Sequence, residues 1–253
     1  MSYADFQTII YAWIALALLL FPIQFWRITA PYGRHINQEW GFLMDNRLGW
    51  VVMELVSPIT FAWFFITGEN EKNLPLWIFF SLWLLHYMNR SIIYPLRTKT
   101  TGKKIPVLIV LSAIFFNSVN GWSNGFYLGT VAEPYPANWI TSPYFLFGII
   151  IFFTGAIINI KSDNYLLGLR KPGEKKYAIP RGGFFNYISC PNHFGEILEW
   201  TGFAILTWNI AAAAFAIWTA ANLIPRAHSH HQWYLKNFPD YPQDRKAVIP
   251  FIL

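Results

Sequence analysis

Long apolar stretches separated by short polar ones dominate this chain, and they predict membrane-spanning helices. A bilayer core of about 30 Å needs about 20 apolar residues wound as helix, because lipid offers the backbone no hydrogen-bond partners. Five stretches meet that requirement: about 8–26, 50–68, 75–95, 105–124 and 142–160. A sixth apolar region, 197–224, is long for one span and short for two, with Asn209 near its middle. The first stretch follows Met1-Ser2-Tyr3-Ala4-Asp5 without a basic leader and is long enough to span, so it reads as a membrane segment rather than a cleaved signal peptide.

The positions of Lys and Arg set the count. None precedes Tyr11, and none lies in 121–141. Arg27, Arg34 and Arg47 fall in 27–49, Arg97, Lys99, Lys103 and Lys104 in 96–104, and six basic residues in 161–190, while the tail from Arg226 adds Lys236, Arg245 and Lys246. Poor and rich loops alternate, which puts the N-terminus outside and the rich loops in the cytoplasm. With both 161–190 and the tail cytoplasmic, an even number of crossings separates them. The region 186–226 is therefore expected to form two helices meeting near Trp208-Asn209. The fold expected is an all-α integral membrane protein with seven transmembrane helices, N-terminus outside, C-terminus cytoplasmic, in one domain.

Composition agrees with this and narrows the function. Of 253 residues, 55% are hydrophobic and 13% charged, against about 25% charged in an ordinary soluble domain. The net charge of +6 sits in loops between apolar stretches, a pattern of membrane topology rather than of nucleic-acid binding. Cys190 is the single cysteine, which excludes an intrachain disulfide and a cysteine-based zinc site. His228, His230 and His231 invite a metal reading. Six histidines in all are fewer than membrane di-iron oxygenases use, and the three read better as hydrogen-bond donors to an anionic ligand.

Ionisable residues inside the apolar stretches carry the chemistry, since each costs roughly 2.5–3.5 kcal/mol to place at a helix centre on insertion scales. Glu54 lies in the second span. His86, Tyr87 and Arg90 lie in the second half of the third, Asn117 and Asn120 share a face of the fourth, and Glu196 and Glu199 open the sixth. Under the topology above, Glu54 and Tyr87 lie at similar depth on neighbouring helices. A carboxyl and a phenol so placed can donate to a carbonyl oxygen and stabilise enolate charge. The structural alternative is Glu54 paired with Arg90 or capping local backbone. Asn159, Asp163, Asn192 and Glu196 flank the basic 161–190 loop, whose positive charge alone would require none of them. No G-x-G-x-x-G is present, so any dinucleotide must be held by helix ends and loops.

Four motifs together resemble the steroid 5α-reductase family: Arg-Lys-Pro-Gly-Glu (170–174), Ile-Pro-Arg-Gly-Gly (179–183), Phe-Gly-Glu-Ile-Leu-Glu-Trp (194–200) and Tyr-Pro…Arg-Lys-Ala-Val-Ile-Pro-Phe-Ile (241–252). The likeness runs almost continuously from about 86 to the C-terminus and more loosely around 31–57. It implies seven membrane helices, NADPH as hydride donor and reduction of the 4,5 double bond of a 3-oxo-Δ4 steroid. The family's carboxylate–tyrosine pair falls on Glu54 and Tyr87, which would hydrogen-bond the 3-oxo group, with Met53 beside them where the human steroid enzymes carry Gln. Its cofactor contacts match Arg90, Tyr94, Asn159, Asp163, Arg170, Tyr177, Asn192, Glu196, Trp200, Arg226, His230 and Tyr234. The partners implied are a steroid or related lipid enone and the bilayer of a bacterial inner membrane or an endoplasmic reticulum, with no nucleic acid and no metal. Three other readings stand beside it: a reductase of polyprenols or enoyl-CoA lipids, an isoprenylcysteine-type methyltransferase, and a transporter or receptor, although no repeat symmetry of the transporter kind is visible.

Overall fold

A computed structural model describes residues 1–27, 29, 31, 33–36, 40–99, 102–169 and 177–253. Eight α-helices order these residues: α1 (Tyr3–Trp26), α2 (Asn46–Thr67), α3 (Leu74–Met88), α4 (Tyr94–Arg97), α5 (Val107–Phe126), α6 (Pro143–Gly168), α7 (Pro191–Thr207) and α8 (Ile210–Asn237). Five helical segments are long and apolar enough to cross a membrane: Tyr3–Trp26, Asn46–Thr67, Val107–Val131, Pro143–Gly168 and Ile210–Asn237. Leu18, Leu19, Trp63, Ile66, Phe147 and Ile150 are exposed on these segments, the apolar exterior that lipid rather than water would cover. This is an α-helical protein with the features of a membrane protein.

The chain forms two compact units. The first comprises Met1–Ile10, Ala30–Leu146 and Thr207–Ala212; the second comprises Tyr11–Thr29, Phe147–Leu206 and Ala213–Leu253.

In the first unit, glycine sets how closely α2 and α5 pack. A Cβ added at Gly121, Gly125 or Gly129 would stand 2.7 Å from the Ser57 carbonyl oxygen, 2.4 Å from that of Phe61 and 2.4 Å from that of Phe64. The four-residue spacing of these glycines opens a groove along α5 and its π-helical extension Tyr127–Val131, so the α2 backbone packs directly against it. Asp45 caps α2 by accepting from the Leu48 N–H at 2.9 Å. Across from α2, the aromatic rings of α3 stack into register: Phe61 on Trp83 with centroids 4.6 Å apart, and Phe65 on Phe80 at 4.7 Å. After Met88 the helix widens into a π turn, Asn89–Ile93. Pro95 follows at once, and a proline has no N–H to continue the regular ladder.

One departure from an all-helical chain is a two-stranded antiparallel ribbon, β1 (Leu43–Asp45) with β2 (Lys104–Pro106), pairing Leu43 with Pro106. Strands of three residues leave no readable alternation in the sequence.

In the second unit, α6 and α7 approach through paired glycines seven residues apart on each helix. A Cβ at Gly155 would lie 2.3 Å from the Glu199 nitrogen, and one at Gly202 would lie 2.4 Å from the Phe152 nitrogen. The expected division of 186–226 is present as a helix break. Trp208 takes a left-handed φ of 47°, and Asn209 starts α8 by accepting from the Ala212 N–H at 2.9 Å. Two boundaries differ from the sequence reading. The polar residues 161–168 continue α6 instead of opening a loop, and the tail from Arg226 continues α8 through Asn237. Residues of low apolarity stay helical here because the unit packs around them. Beyond α8 the chain returns to pair with the segment before α7, Lys246 N–H donating to Tyr187 and Ser189 N–H to Lys246, each at 2.8 Å.

Candidate functional site

Apart from Tyr177, the described candidate residues are built on helices, which hold side chains more firmly than loops do. In the first unit, Glu54 lies half-buried on α2 and Tyr87, 3% exposed, in the last turn of α3. Their relative level follows from contacts on either side. Phe61 of α2 stacks on Trp83, and Trp50 of α2 meets Tyr94 edge-on at 6.4 Å. Eleven residues separate the two contacts on each helix (61 minus 50, 94 minus 83), so the antiparallel register puts Glu54 at the level of Arg90 and Tyr87 one turn further along. At 3.6 residues per turn, Trp50, Glu54 and Phe61 share a sector of about 40° on α2, the side toward α3. This register brings the carboxyl and the phenol onto facing sides of neighbouring helices.

Arg90 packs between two rings, its guanidinium carbon 5.4 Å from the Trp50 centroid and 5.3 Å from that of Tyr94. Stacking of this kind fixes the plane of a guanidinium, whose edge carries the N–H donors. Met53 is 5% exposed and packs with Ile105 and Val110. Asn117 and Asn120, which share a face in sequence, separate in role. The Asn117 Nδ2 donates to the Met53 carbonyl at 2.7 Å, whereas Asn120 donates to Phe116 of its own helix.

In the second unit the candidates fall at four-residue intervals: Asn159 and Asp163 on α6, Asn192, Glu196 and Trp200 on α7, Arg226, His230 and Tyr234 on α8. Each set therefore lines one helix face. Asn159 is 2% exposed, and its Nδ2 lies 2.9 Å from the Asn192 carbonyl and 3.4 Å from Glu196 Oε2. Asn192 Nδ2 in turn donates to Asp163 Oδ1 at 3.0 Å. Asp163, Trp200, Arg226 and Tyr234 are all buried. Trp200 packs against Phe215 with centroids 4.5 Å apart, Tyr177 meets Trp233 at 5.0 Å, and the His193 and His230 rings lie 5.7 Å apart. Arg170, with Pro172 and Gly173 after it, lies outside the described residues.

This arrangement offers amide donors, carboxylate acceptors and a buried guanidinium on neighbouring turns. Those are the groups that ribose hydroxyls, a carboxamide and phosphates require, so the donor set fits a dinucleotide.

A further cluster escaped the sequence reading. Ser189 Oγ lies 2.7 Å from the Tyr241 hydroxyl, 2.7 Å from His231 Nδ1 and 3.1 Å from the Lys246 carbonyl. Arg245, 3% exposed, donates to the Pro180 carbonyl at 3.1 Å and to the Tyr241 hydroxyl at 3.3 Å. Burial raises the Tyr241 pKa, against the opposing pull of its hydrogen bonds with Ser189 and Arg245. The Tyr-Pro…Arg-Lys motif marked these positions without disclosing that they meet Ser189.

Comparison with known proteins agrees with the four motifs. A family profile described as 3-oxo-5-alpha-steroid 4-dehydrogenase matches residues 103–253. The steroid 5-alpha-reductase DET2 of Gossypium hirsutum is 40% identical over 252 residues, covering 96% of each chain. The 3-oxo-5-alpha-steroid 4-dehydrogenase 1 of Homo sapiens is 42% identical, covering 88% of this chain and 86% of its own. That of Rattus norvegicus is 39% identical over 89% and 87%. Similarity of this extent covers both units, and the chain belongs to the steroid 5-alpha-reductase family of oxidoreductases.

Proposed function

We propose that this protein reduces the 4,5 double bond of 3-oxo-Δ4 steroids such as testosterone and progesterone to 5α-dihydro steroids, with NADPH as the reductant. The observation that carries the reading is the α2–α3 register, which sets Glu54 and Tyr87 on facing helix sides in a chain of this family. Glu54 and Tyr87 hydrogen-bond the 3-oxo oxygen and withdraw electron density from the enone, so the charge that develops on that oxygen is met by donors already in place. NADPH, when bound, supplies the hydride that reaches C5 from the α face, and a proton then reaches C4. Arg90, Tyr94, Arg170, Arg226 and His230 would supply cationic, hydrogen-bonding and stacking contacts to it. Asn159, Asp163, Asn192 and Glu196 address its hydroxyl and amide groups, with Tyr177, Trp200 and Tyr234 completing the walls. Met53, next to Glu54 in the chain, would bound the steroid site as an apolar residue.

The same reading gives seven crossings with the N-terminus outside and the basic loops cytoplasmic. α3 continues through the π turn and α4 as far as Arg97, and α7 supplies 17 residues, which adds two crossings to the five long segments.

The test is purified protein with NADPH and progesterone or testosterone, the product identified by mass and stereochemistry. A 5α-dihydro steroid is expected. Binding of NADPH without any 4,5-dihydro product would sink the steroid assignment.

A further inference from the structure

Seven hydroxyls on helices of this protein share one habit that Ser57 does not follow. Thr8, Thr67, Ser81, Ser91, Ser112, Ser118 and Thr201 each donate to the carbonyl four residues before them, the usual resting place for a helical hydroxyl. Ser57 is 0% exposed, yet its Oγ has no hydrogen-bond partner among the described residues. The reason lies in the carbonyl it would use. That carbonyl belongs to Met53, and the Asn117 amide already occupies it at 2.7 Å. With the helical N–H of Ser57 itself on the other lone pair, the oxygen is full. Asn117 thus displaces the Ser57 hydroxyl from its local acceptor and leaves its hydrogen-bonding capacity unspent in the interior.

The direction in which that capacity is available follows from the helix. Ser57 falls within about 60° of Glu54, about 40° of Phe61 and about 20° of Trp50 around α2, beside the sector whose Trp50 and Phe61 touch the α3–α4 segment. It lies four residues before Phe61, and Tyr87 lies four residues after Trp83, the ring on which Phe61 stacks. In an antiparallel pair, equal offsets in opposite chain senses place Ser57 and Tyr87 at the same level.

We infer that Ser57 is a positioning residue for Tyr87: with the steroid bound, its hydroxyl donates to the Tyr87 phenol oxygen, which aims the phenol's own proton at the 3-oxo group. A rotation about χ1 is the movement required of a serine. Two hydroxyls in series polarise one another, so the bond that Tyr87 gives strengthens as charge grows on the substrate oxygen. The inference rests on the Glu54–Tyr87 reading above.

An unsatisfied buried hydroxyl destabilises a fold, so removing it has a signature opposite to that of a structural group. Ser57→Ala should leave the melting temperature of the purified enzyme unchanged or higher. It should lower kcat about tenfold, the size of one ordinary hydrogen bond acting through Tyr87, with the KM for NADPH unchanged. Ser57→Thr, which keeps the hydroxyl, should recover most of that loss. Ser118→Ala, which removes a half-buried hydroxyl bonded within α5, is the control and should leave kcat alone. Unchanged kcat in Ser57→Ala overturns the inference, and so does a fall in melting temperature with activity lost and not restored by Ser57→Thr. Glu54→Gln is run in parallel. If Glu54→Gln keeps full turnover, the Glu54–Tyr87 reading itself fails; if it abolishes turnover while Ser57→Ala leaves kcat unchanged, only the role of Ser57 fails.

Discussion

Asn117 reaches from α5 to the carbonyl of Met53, 2.7 Å away and one residue before Glu54. A side-chain amide spending its donor on a foreign helix ties the two helices together at the level of the candidate carboxylate. The glycine groove of α5 brings the backbones close enough for so short a side chain to reach.

Replacing Asn117 by Ala removes this bond between α2 and α5. We expect a loss of about 0.5–1.5 kcal/mol in stability, read as a lower denaturation midpoint in detergent. Turnover should fall too, because the Met53 carbonyl is then open to the Ser57 hydroxyl.

The candidate residues divide by role, and binding separates them. Glu54→Gln should cut turnover sharply and leave NADPH affinity nearly unchanged. Asn192→Ala loses the bond to Asp163 Oδ1 and with it the arrangement of the polar face on α6 and α7. One such hydrogen bond, at about 1–1.5 kcal/mol, corresponds to a roughly tenfold weaker Kd for NADPH. Equal loss of cofactor binding in both variants would contradict the division.

How much of this was legible in the sequence depends on which signal each feature leaves. Spans two and four were readable because a 20-residue apolar run has no other explanation. The break at Trp208-Asn209 was readable because charge on both sides demanded an even number of crossings. The helical nature of 161–168 and 226–237 was not. Asp163, Arg226, His230 and Tyr234 are polar enough to read as loop or tail, and only packing reveals that four-residue spacing puts each set on one helix face. Asn117 looked equivalent to Asn120, since periodicity fixes a shared face but not which carbonyl an amide finds. The Ser189–Tyr241–Arg245 cluster joins residues about fifty positions apart, and no local pattern announces such a contact.

Glycine placement predicts sharp contrasts among substitutions to Ala. At Gly155 a Cβ would meet the Glu199 backbone nitrogen at 2.3 Å, whereas at Gly168 nothing lies within 4 Å. Gly155→Ala forces α6 from α7 and should cost about 1–3 kcal/mol by overpacking, displacing the Asn159 and Glu196 side chains that share this interface. Gly168→Ala, at the end of α6, should be neutral or stabilising by about 0.5–1 kcal/mol. Thermal melts of the two variants in the same detergent decide it, and equal behaviour would contradict the packing described.

Alkaline pH offers a test of the buried cluster on the returning C-terminal segment. The Tyr241 phenol is raised above its ordinary value of 10.0, chiefly by burial, with its hydrogen bonds with Ser189 and Arg245 acting the other way. The folded state thus favours the neutral phenol more than the unfolded chain does. A group raised on folding gives stability that is complete below its unfolded pKa and is lost as pH climbs through the folded one. Melting temperature should therefore hold steady up to about pH 10 and decline above it. Tyr135, lying between helices and also raised by burial, adds to the same decline. Tyr241→Phe removes one titrating group and the bond to Ser189 together, so its melting temperature at pH 8 is expected to be lower. Its fall between pH 9 and pH 11 should nevertheless be shallower than that of the unsubstituted protein. The slope, rather than the starting value, carries the information. An unchanged slope would mean that the Tyr241 phenol ionises alike in the folded and unfolded chain, and the buried cluster would then have no part in the alkaline transition.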